Sequence, residues 1–297
     1  MFGVLNIDKP LNLTSHDVVA RVRKKLGIKK VGHAGTLDPL ATGVLPVCVG
    51  DATRLIEYFP GDKRYQAWIT FGTATTTWDA EGEVVASVPA EGLARENIEV
   101  LLQAFQGKIQ QQVPPHSAVH VNGKKLYEYA RKGIAVKLPV REAEIFEITL
   151  LKFDNLTAMV DIHCASGTYV RSIAQELGQL TGYGAYLSKL VRTSHGKFSL
   201  ESSVSLEEVT ENDLLNPAEF IPFPQVNLSR EALEKIQHGM KLQPEDMELS
   251  SEVRNNRHYL LCYDHLPVGV AVGEFTRRLK PVKVFPLKLE LPQQTVS

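Results

Sequence analysis

A glycine-punctuated run over residues 32–43 constrains this chain more than any other stretch of its sequence. It places a single carboxylate, Asp38, directly before Pro39, and three glycines interrupt the backbone around it. A proline disfavours helical backbone at the residue before it, so we expect Asp38 on extended chain or in a turn. Glycines allow positive φ angles or the close approach of a ligand. A lone carboxylate in such a loop suits a nucleophile better than a metal site, which would need several oxygen or imidazole ligands.

The length and composition are those of a globular protein with room for more than one domain. The chain has 297 residues, and its hydrophobic and charged fractions are ordinary. Its three cysteines are far apart and include no Cys-x-x-Cys pair, which argues against a zinc ribbon or a disulfide framework. The N-terminus lacks the basic region of a signal peptide, and no apolar run approaches membrane-spanning length. We therefore expect a cytoplasmic enzyme with no membrane association.

Charge is segregated along the chain although the net charge is only −1. Two segments are rich in cations and poor in acids, whereas acids gather over residues 201–219. The cations of the two segments are Arg21, Arg23, Lys24, Lys25, Lys29 and Lys30, and then Lys124, Lys125, Arg131, Lys132, Lys137 and Arg141. Such segregation can steer a polyanion to one face of a protein. The alternative is that each segment is a solvated face of an amphipathic helix.

Apolar spacing predicts a mixture of helices and strands without a regular β-α-β order. A helix starting from Ser15 as N-cap is expected to close at Gly27. The other predicted helices cover residues 94–105, 169–180 and 229–238. The predicted strands cover residues 44–49, 63–71, 159–164, 258–263, 268–275 and 282–289. This pattern favours an α+β fold around a mainly antiparallel sheet. The acidic segment and the prolines after it predict a domain boundary, with one domain over residues 1–222 and a small β-rich domain over 223–297.

Arg171 and Tyr65 are the first candidates to act together with Asp38. Arg171 lies in the first turn of a predicted helix, where a cation opposes the helix dipole unless an anion lies nearby. Asp38 is a candidate for that anion, and an arginine partner would keep the carboxylate ionised and aligned. Tyr65 lies on a predicted strand and offers an aromatic face with a polar tip. The alternatives are a surface arginine and a core tyrosine.

His116 and His120 have the four-residue spacing of a helical metal site. Two prolines precede the pair and no glutamate lies between them. We therefore expect no metal site there.

Three of these stretches resemble the signatures of the TruB-type tRNA pseudouridine synthases, which isomerise uridine 55 in the T-loop of tRNA. The run Gly-His-Ala-Gly-Thr-Leu-Asp-Pro-Leu-Ala-Thr-Gly over residues 32–43 resembles the loop that carries the essential aspartate of this family. The resemblance implies that Asp38 is the catalytic residue. It also implies that His33 helps to displace and position the target base.

The other two signatures add residues around the base. The stretch Gly-Thr-Tyr-Val-Arg over residues 167–171 implies that Tyr169 contacts the base and that Arg171 pairs with the catalytic aspartate. The stretch Lys-Arg-Tyr over residues 63–65 implies that Tyr65 stacks on the flipped uracil and assists proton removal at C5. Leu190 corresponds to a leucine that lines the uracil pocket of the family. The nearby cations Lys189, Arg192 and Lys197 are expected to reach phosphates.

The resemblance covers about residues 3–200 and implies a complete reaction scheme. It implies a pseudouridine-synthase-like catalytic domain followed by a PUA-like RNA-binding domain. It implies base flipping and an aspartate-dependent break and re-formation of the glycosidic bond in the T-arm of tRNA. No cofactor is needed because the isomerisation involves no redox change. A monomer without a protein partner is expected.

The chain departs from the family pattern at two positions. His116 stands where relatives carry an aromatic residue, usually tyrosine, and His120 stands where they carry lysine. These departures affect one aromatic contact and one phosphate contact. The alternative to an enzyme is a non-catalytic tRNA-binding or remodelling protein on the same fold. A hydrolase or phosphoryl-transfer enzyme would need metal ligands or a P-loop, and the sequence shows neither.

Overall fold

The computed structural model describes residues 1–248 and 252–285 of the chain. These residues divide into two compact units. The larger unit contains residues 5–47 and 61–213. The smaller unit contains residues 1–4, residues 48–60 and the chain from Leu214 onward. The sequence predicts a boundary between two functional domains at residue 222. That boundary stays a prediction.

Five α-helices and nineteen strands are found in the described residues. The helices are α1 Ser15–Leu26, α2 Arg95–Gln103, α3 Leu126–Ala130, α4 Val170–Thr181 and α5 Arg230–Gln237. The strands are β1 Gly3–Lys9, β2 Val31–His33, β3 Ala41–Val49, β4 Lys63–Phe71, β5 Thr73–Thr75, β6 Val84–Ser87, β7 Gly107–Gln112, β8 His120–Val121, β9 Lys124–Lys125, β10 Val140–Asp154, β11 Thr157–Cys164, β12 Ala185–His195, β13 Phe198–Ser199, β14 Val204–Ser205, β15 Gln225–Leu228, β16 Met247–Glu248, β17 His258–Tyr263, β18 Leu266–Gly273 and β19 Leu279–Val284. Among these helices, none has the length and hydropathy that crossing a membrane requires.

A ten-stranded sheet forms the centre of the larger unit, and it confirms the predicted α+β class. Its strand order is β14-β1-β3-β12-β4-β11-β10-β7, with β2 attached to β3 and β13 attached to β12. Strand β4 pairs antiparallel with both β11 and β12, whereas β12 pairs parallel with β3. The sheet is therefore mainly antiparallel, as expected, and β4 and β12 lie at its middle.

Alternation along β4 decides which of its side chains face the core. Residues at odd positions from Lys63 to Phe71 are buried, and the side chains between them are more exposed. Successive side chains of a strand point to opposite faces of its sheet, so this pattern follows directly from the sequence. The bounds of β4 and of β17 are those predicted. Strand β19 begins earlier than the predicted strand over residues 282–289, whose part beyond residue 285 lies outside the described residues.

The start of α1 differs by one residue from the prediction. Thr14, not Ser15, is the N-cap: its side chain accepts from the backbone N–H of Asp17, whose carboxylate accepts from the backbone N–H of Thr14 at 2.9 Å. This reciprocal capping box satisfies two backbone donors at once, so Thr14 is preferred over Ser15. Gly27 ends the helix with a φ of 63°, as predicted. Ser15 is left as a buried residue of the first turn, with its hydroxyl available for another contact.

The smaller unit contains a five-stranded sheet in the order β16-β15-β17-β18-β19. Its core includes residues of α5 and of the strands, among them Leu233, Ile236, Tyr259 and Leu261. A 3₁₀ helix over Gly50–Tyr58 belongs to the same unit. From this 3₁₀ helix, Arg54 Nη1 donates to the carbonyl of Val284, a residue of the same unit, at 2.7 Å. This unit is rich in strands, and besides residues from Leu214 onward it includes residues 1–4 and 48–60 of the chain.

Candidate active site

The loop that carries Asp38 is held at three points by backbone hydrogen bonds. The hydroxyl of Ser15 accepts from the backbone N–H of Leu37 at 2.8 Å and donates to the Leu37 carbonyl at 3.1 Å. The backbone N–H of Asn12 donates to the Pro39 carbonyl at 2.9 Å. The backbone N–H of Ala41 donates to the Asp38 carbonyl at 3.0 Å, which closes a β-turn. Asp38 therefore begins a turn on non-helical backbone, as Pro39 dictates.

Arg171 and Asp38 form an ion pair at the mouth of the site. Arg171 Nη2 lies 3.0 Å from Asp38 Oδ2. The arginine side chain is 6% exposed, whereas the aspartate side chain is 37% exposed. A charge-assisted hydrogen bond of this length is strong and directional. The carboxylate of Asp38 is therefore held by a buried group on one side, and its other side is accessible to a ligand.

Asp79 is a second carboxylate on the same guanidinium, and it is not among the residues predicted from the sequence. Arg171 Nη1 lies 3.5 Å from Asp79 Oδ2. Asp79 is 2% exposed, and its Oδ1 accepts from the backbone N–H of Glu81 at 3.0 Å and from the Thr77 hydroxyl. Arg171 Nη2 also donates to the His116 carbonyl at 3.2 Å. The arginine is thus anchored by a buried acid while it holds an accessible one.

The first turn of α4 places Arg171, and a buried glutamine fixes where that helix begins. The backbone N–H of Tyr169 donates to Gln111 Oε1 at 2.7 Å, and Gln111 Nε2 donates to the Tyr169 carbonyl at 3.0 Å. Tyr169 is the N-cap residue of α4, and burial raises the pKa of its phenol. The Tyr169 side chain is half-buried, next to the first turn of α4, which carries Arg171. Gln111 is a positioning contact that the sequence analysis missed.

Tyr65 and Leu190 lie on neighbouring strands beneath the loop. Both side chains are 6% exposed. Leu190 of β12 is opposite Ala41 of β3 on one side and Ala67 of β4 on the other. Burial raises the pKa of the Tyr65 phenol, which is therefore protonated at neutral pH. The structure gathers these two predicted residues at the middle of the sheet.

His33 lies at the end of β2 and packs against a second imidazole. The rings of His33 and His16 are 5.2 Å apart between centroids and inclined by 82°. Burial lowers the pKa of His33, and the charges of His16 and Arg192 act in the same direction. His33 is therefore neutral at pH 7 and presents a half-buried, uncharged ring.

Arg192 does not reach the surface, so the expectation that it contacts phosphates is wrong. It is fully buried, and its guanidinium donates to backbone carbonyls, including that of Val44 at 2.6 Å. Lys189, by contrast, is exposed, and its ammonium lies over the Trp68 ring at 4.5 Å from the centroid. Alternation along β12 could have shown that Arg192 shares the buried face of Leu190.

His116 and His120 do not share a helix. His120 begins β8, and His116 lies in the irregular segment before it. Burial lowers the pKa of His116, with the charge of Arg171 acting in the same direction. Across residues 1–248 and 252–285, no group of three or more His, Cys, Asp or Glu side chains is placed to hold a metal ion.

The mixed sheet, the arginine-held aspartate in a glycine-rich loop and the tyrosine beneath it define a pseudouridine-synthase-like protein. Residues 23–170 match the family described as "TruB family pseudouridylate synthase (N terminal domain)". The tRNA pseudouridine synthase B of Geobacillus thermodenitrificans is 42% identical over 307 residues, covering 96% of this chain and 100% of the relative. That of Symbiobacterium thermophilum is 49% identical over 245 residues, covering 80% of this chain and 82% of the relative. The chain belongs to the TruB family of pseudouridylate synthases.

Solved structures agree with this assignment at the level of the fold. A structure titled "Crystal Structure of a Cbf5-Nop10-Gar1 Complex" has a TM-score of 0.72 at 26% identity, covering 96% of this chain and 85% of the other. A second, "Structure of H/ACA RNP bound to a substrate RNA containing 2'-deoxyuridine", has a TM-score of 0.71 at 25% identity, covering 96% and 86%. The predicted fold class, a pseudouridine-synthase-like domain with a small PUA-like domain, is confirmed.

Proposed function

We propose that this enzyme isomerises uridine to pseudouridine at position 55 in the T-loop of tRNA, with Asp38 as its catalytic residue. The observation that carries the proposal is the pair of Asp38 and Arg171. One oxygen of an accessible carboxylate is bound at 3.0 Å by a buried guanidinium, inside the signature loop of the family. A cation at this distance favours the ionised carboxylate.

An ionised carboxylate serves each route by which the glycosidic bond can break. Asp38 can attack C1′ of the ribose, attack C6 of the uracil, or take the C2′ proton so that uracil leaves as an anion. In every case the N1–C1′ bond breaks, the uracil turns and C5 bonds to C1′, after which the C5 proton is lost. Neither a redox change nor a carried group is involved, so the reaction needs no cofactor.

The remaining residues of the site are proposed to receive a base taken out of the RNA stack. A flipped base needs an aromatic face and an apolar wall to offset the lost stacking. Tyr65 supplies the face, Leu190 lines the pocket and Tyr169 contacts the base. His33, as a neutral ring at the edge of the loop, helps to displace and position the base. Tyr65 is also assigned to assist removal of the C5 proton.

The partner is proposed to be the T-arm of tRNA, bound by a monomer in the cytoplasm without a further protein. What supports this is that every residue of the site comes from one chain and one compact unit. The smaller unit is proposed to act as a PUA-like RNA-binding domain. The experiment below therefore uses the purified chain alone.

Release of tritium from [5-³H]uridine-labelled tRNA transcript tests the proposal, because C5 loses its proton when the new bond forms. The wild-type protein should release tritium, and the Asp38→Asn variant should release none while keeping its tRNA affinity and unfolding midpoint. Asp154→Asn is a matched control, since Asp154 is a surface residue paired with Lys152 at 3.3 Å. It should behave as the wild type does. A transcript with cytidine at position 55 should release no tritium from the wild type.

Three results would contradict the proposal. Release by both the wild type and Asp38→Asn would mean that another residue is catalytic. Binding without release by the wild type would favour a non-catalytic RNA-binding protein. Undiminished release from the transcript with cytidine at position 55 would place the target uridine elsewhere.

A further inference from the structure

Arg192 is the largest fully buried side chain of the described residues, and it lies directly under the active site. Its Nε donates to the Val44 carbonyl at 2.6 Å. Its Nη2 and Nη1 donate to the Gly35 and Thr36 carbonyls at 3.3 Å and 3.4 Å. The guanidinium also interacts with the phenol of Tyr65, the residue opposite Arg192 in the pairing of β12 with β4. One planar group therefore contacts the catalytic loop, the strand that follows it and the tyrosine of the site.

The strand register explains why Arg192 can make all of these contacts. On β12, Arg192 is opposite Tyr65 of the antiparallel strand β4 and opposite Gly43 of the parallel strand β3. The backbone of Gly43 is so close that a Cβ added there would lie 2.2 Å from the Arg192 carbonyl oxygen. The backbone of Arg192 is consequently fixed between the strand that carries Tyr65 and the strand that follows the loop, and its side chain extends from there. Its five N–H donors in one plane suit several acceptors in fixed directions.

The surroundings of Arg192 are those of an unneutralised buried cation. Within residues 1–248 and 252–285, its side chain forms no ion pair with a carboxylate, and its hydrogen-bond acceptors are the carbonyls of Gly35, Thr36 and Val44. Burial lowers the pKa of Arg192. A buried charge is costly even when hydrogen-bonded, and apolar replacements of buried charges are often as stable. Stability alone is therefore a weak reason for an arginine at this position.

We infer that Arg192 is a positioning residue for the isomerisation: it fixes the phenol oxygen of Tyr65 relative to the loop that carries Asp38. A guanidinium has donors and no acceptor, so beside Arg192 the phenol is expected to turn its oxygen toward the guanidinium and its O–H away. The same guanidinium holds the carbonyls of residues 35 and 36, three and two positions before Asp38. The phenol of Tyr65, proposed to act at C5, and the carboxylate of Asp38, proposed to act on the ribose or the uracil ring, are thus positioned by one guanidinium. The inference rests on the proposed function.

A double-mutant cycle between Arg192→Lys and Tyr65→Phe tests the inference in single-turnover tritium release. Lysine keeps the charge but has one nitrogen, which cannot serve three carbonyls and a phenol together. We expect Arg192→Lys to lower the rate at least tenfold when Tyr65 is present. In the Tyr65→Phe background the same change should lower the rate less than threefold, because the contact to be lost is already absent. Such coupling is expected only of residues that act through each other.

A control variant and two further measurements separate positioning from general damage. Arg64→Lys makes the same change one residue from Tyr65, at a half-exposed arginine that pairs with Asp161, and should leave the rate within twofold. Unfolding midpoints and tRNA affinities of all variants are measured alongside. Equal rate factors for Arg192→Lys in both backgrounds, or a loss confined to tRNA affinity, would overturn the inference.

A readout that needs no Arg192 variant keeps the inference testable if Arg192→Lys does not fold. In ¹⁵N-arginine-labelled wild-type protein, the Nη protons of Arg192 should exchange slowly and shift when Tyr65 is changed to Phe. Unmoved arginine resonances would overturn the inference. This spectrum does not depend on turnover. If the Arg192 resonances differ between the wild type and Tyr65→Phe but the wild type releases no tritium, the proposed function is refuted and the contact between Arg192 and Tyr65 is still supported.

Discussion

Ser15 and Leu37 exchange two hydrogen bonds where the first turn of α1 meets the loop of Asp38. The hydroxyl accepts from the Leu37 N–H at 2.8 Å and donates to its carbonyl at 3.1 Å. Both residues are buried, so water cannot replace either bond. Thr14 caps the helix, which frees Ser15 for this contact. The orientation of the loop of Asp38 is thereby coupled to the start of a helix.

Removing this hydroxyl should weaken both the fold and the reaction. Ser15→Ala leaves a buried N–H and a buried carbonyl without partners, so the free energy of unfolding should fall by about 2 kcal/mol. A displaced Asp38 should lower the single-turnover rate by about tenfold, since small misplacements of a catalytic group are costly. Denaturant unfolding and tritium release measure the two effects. Ser203→Ala, which removes a 2.6 Å bond to the Leu200 carbonyl far along the chain, should leave the rate unchanged. A normal rate for Ser15→Ala would contradict the coupling.

Asp79 should matter for turnover although it is too deeply buried to touch the substrate. Asp79→Asn keeps the shape but removes the charge that anchors Arg171 at 3.5 Å. Arg171 is then pulled by Asp38 alone, so the carboxylate loses its fixed orientation. We expect the single-turnover rate to fall by about tenfold or more, by analogy with other broken charge pairs in buried sites. The tRNA affinity should stay within twofold of the wild type.

The matched control for Asp79 is another aspartate paired with an arginine in the same unit. Asp161 Oδ2 lies 2.6 Å from Arg64 Nη2, and the Asp161 side chain is 13% exposed. Asp161→Asn should lower the unfolding midpoint slightly and leave the rate of tritium release unchanged. Equal losses of rate in Asp79→Asn and Asp161→Asn would show that the first effect is merely structural.

Gly43 should not tolerate a side chain, because β3 and β12 approach each other most closely there. Its φ is 100°, and an added Cβ would lie 2.2 Å from the Arg192 carbonyl oxygen and 2.9 Å from the Arg192 nitrogen. Gly43→Ala should therefore lower the free energy of unfolding by about 3 kcal/mol or more. Gly27 is the control: its φ of 63° is also positive, but nothing lies within 4 Å of an added Cβ. Gly27→Ala should cost only about 1–2 kcal/mol. Similar losses in denaturant unfolding would argue against the close approach.

Local patterns in the sequence predicted much of this site, and contacts between distant residues account for what was missed. Alternation alone placed Tyr65 on the buried face of β4, and the helix-dipole argument drew attention to Arg171. Neither pattern indicates Asp79, because its contact with Arg171 joins residues that lie far apart in the sequence. The wrong expectation for Arg192 has a different cause. No strand was predicted over residues 185–195, so the alternation that places Arg192 on the same buried face as Leu190 was not applied.

The two basic segments differ in how many of their cations are paired with other groups of the protein. In the first segment, Arg21 pairs with Glu207 at 3.3 Å, and Arg23 donates to the Val31 carbonyl at 2.8 Å. In the second, Lys124 and Lys132 are exposed.

The double variant Lys124→Ala/Lys132→Ala should reduce the slope of log Kd against log salt by about 1–2, since each phosphate contact contributes about 0.9. Filter binding over a range of salt concentrations measures the slope. Lys108→Ala/Lys152→Ala, at exposed lysines paired with acids, should leave it unchanged. An unchanged slope for Lys124→Ala/Lys132→Ala would mean that these two lysines are solvated and do not contact phosphates.

Lys9 links the protonation of one buried amine to the backbone beside Asp38. Its Nζ donates to the carbonyls of Pro10 at 2.9 Å, Leu13 at 2.6 Å and Pro39 at 3.4 Å. Burial lowers the pKa of Lys9 to about 8. An ammonium has three N–H donors for these three carbonyls, whereas a neutral amine has two. Deprotonation should release the most distant acceptor, which is Pro39, the residue after Asp38.

The rate of tritium release should therefore fall as the pH rises through about 8, while stability changes in the opposite direction. Because the pKa of Lys9 is lower in the folded chain than in the unfolded one, the unfolded state binds more protons above this pH. The contribution of Lys9 to the free energy of unfolding should thus rise with pH. Lys9→Met should remove the step in the rate profile. Burial also lowers the pKa of Lys63 to about 8, so Lys63→Met is the necessary control and should retain the step. A step that persists in Lys9→Met and vanishes in Lys63→Met would assign it to the other amine.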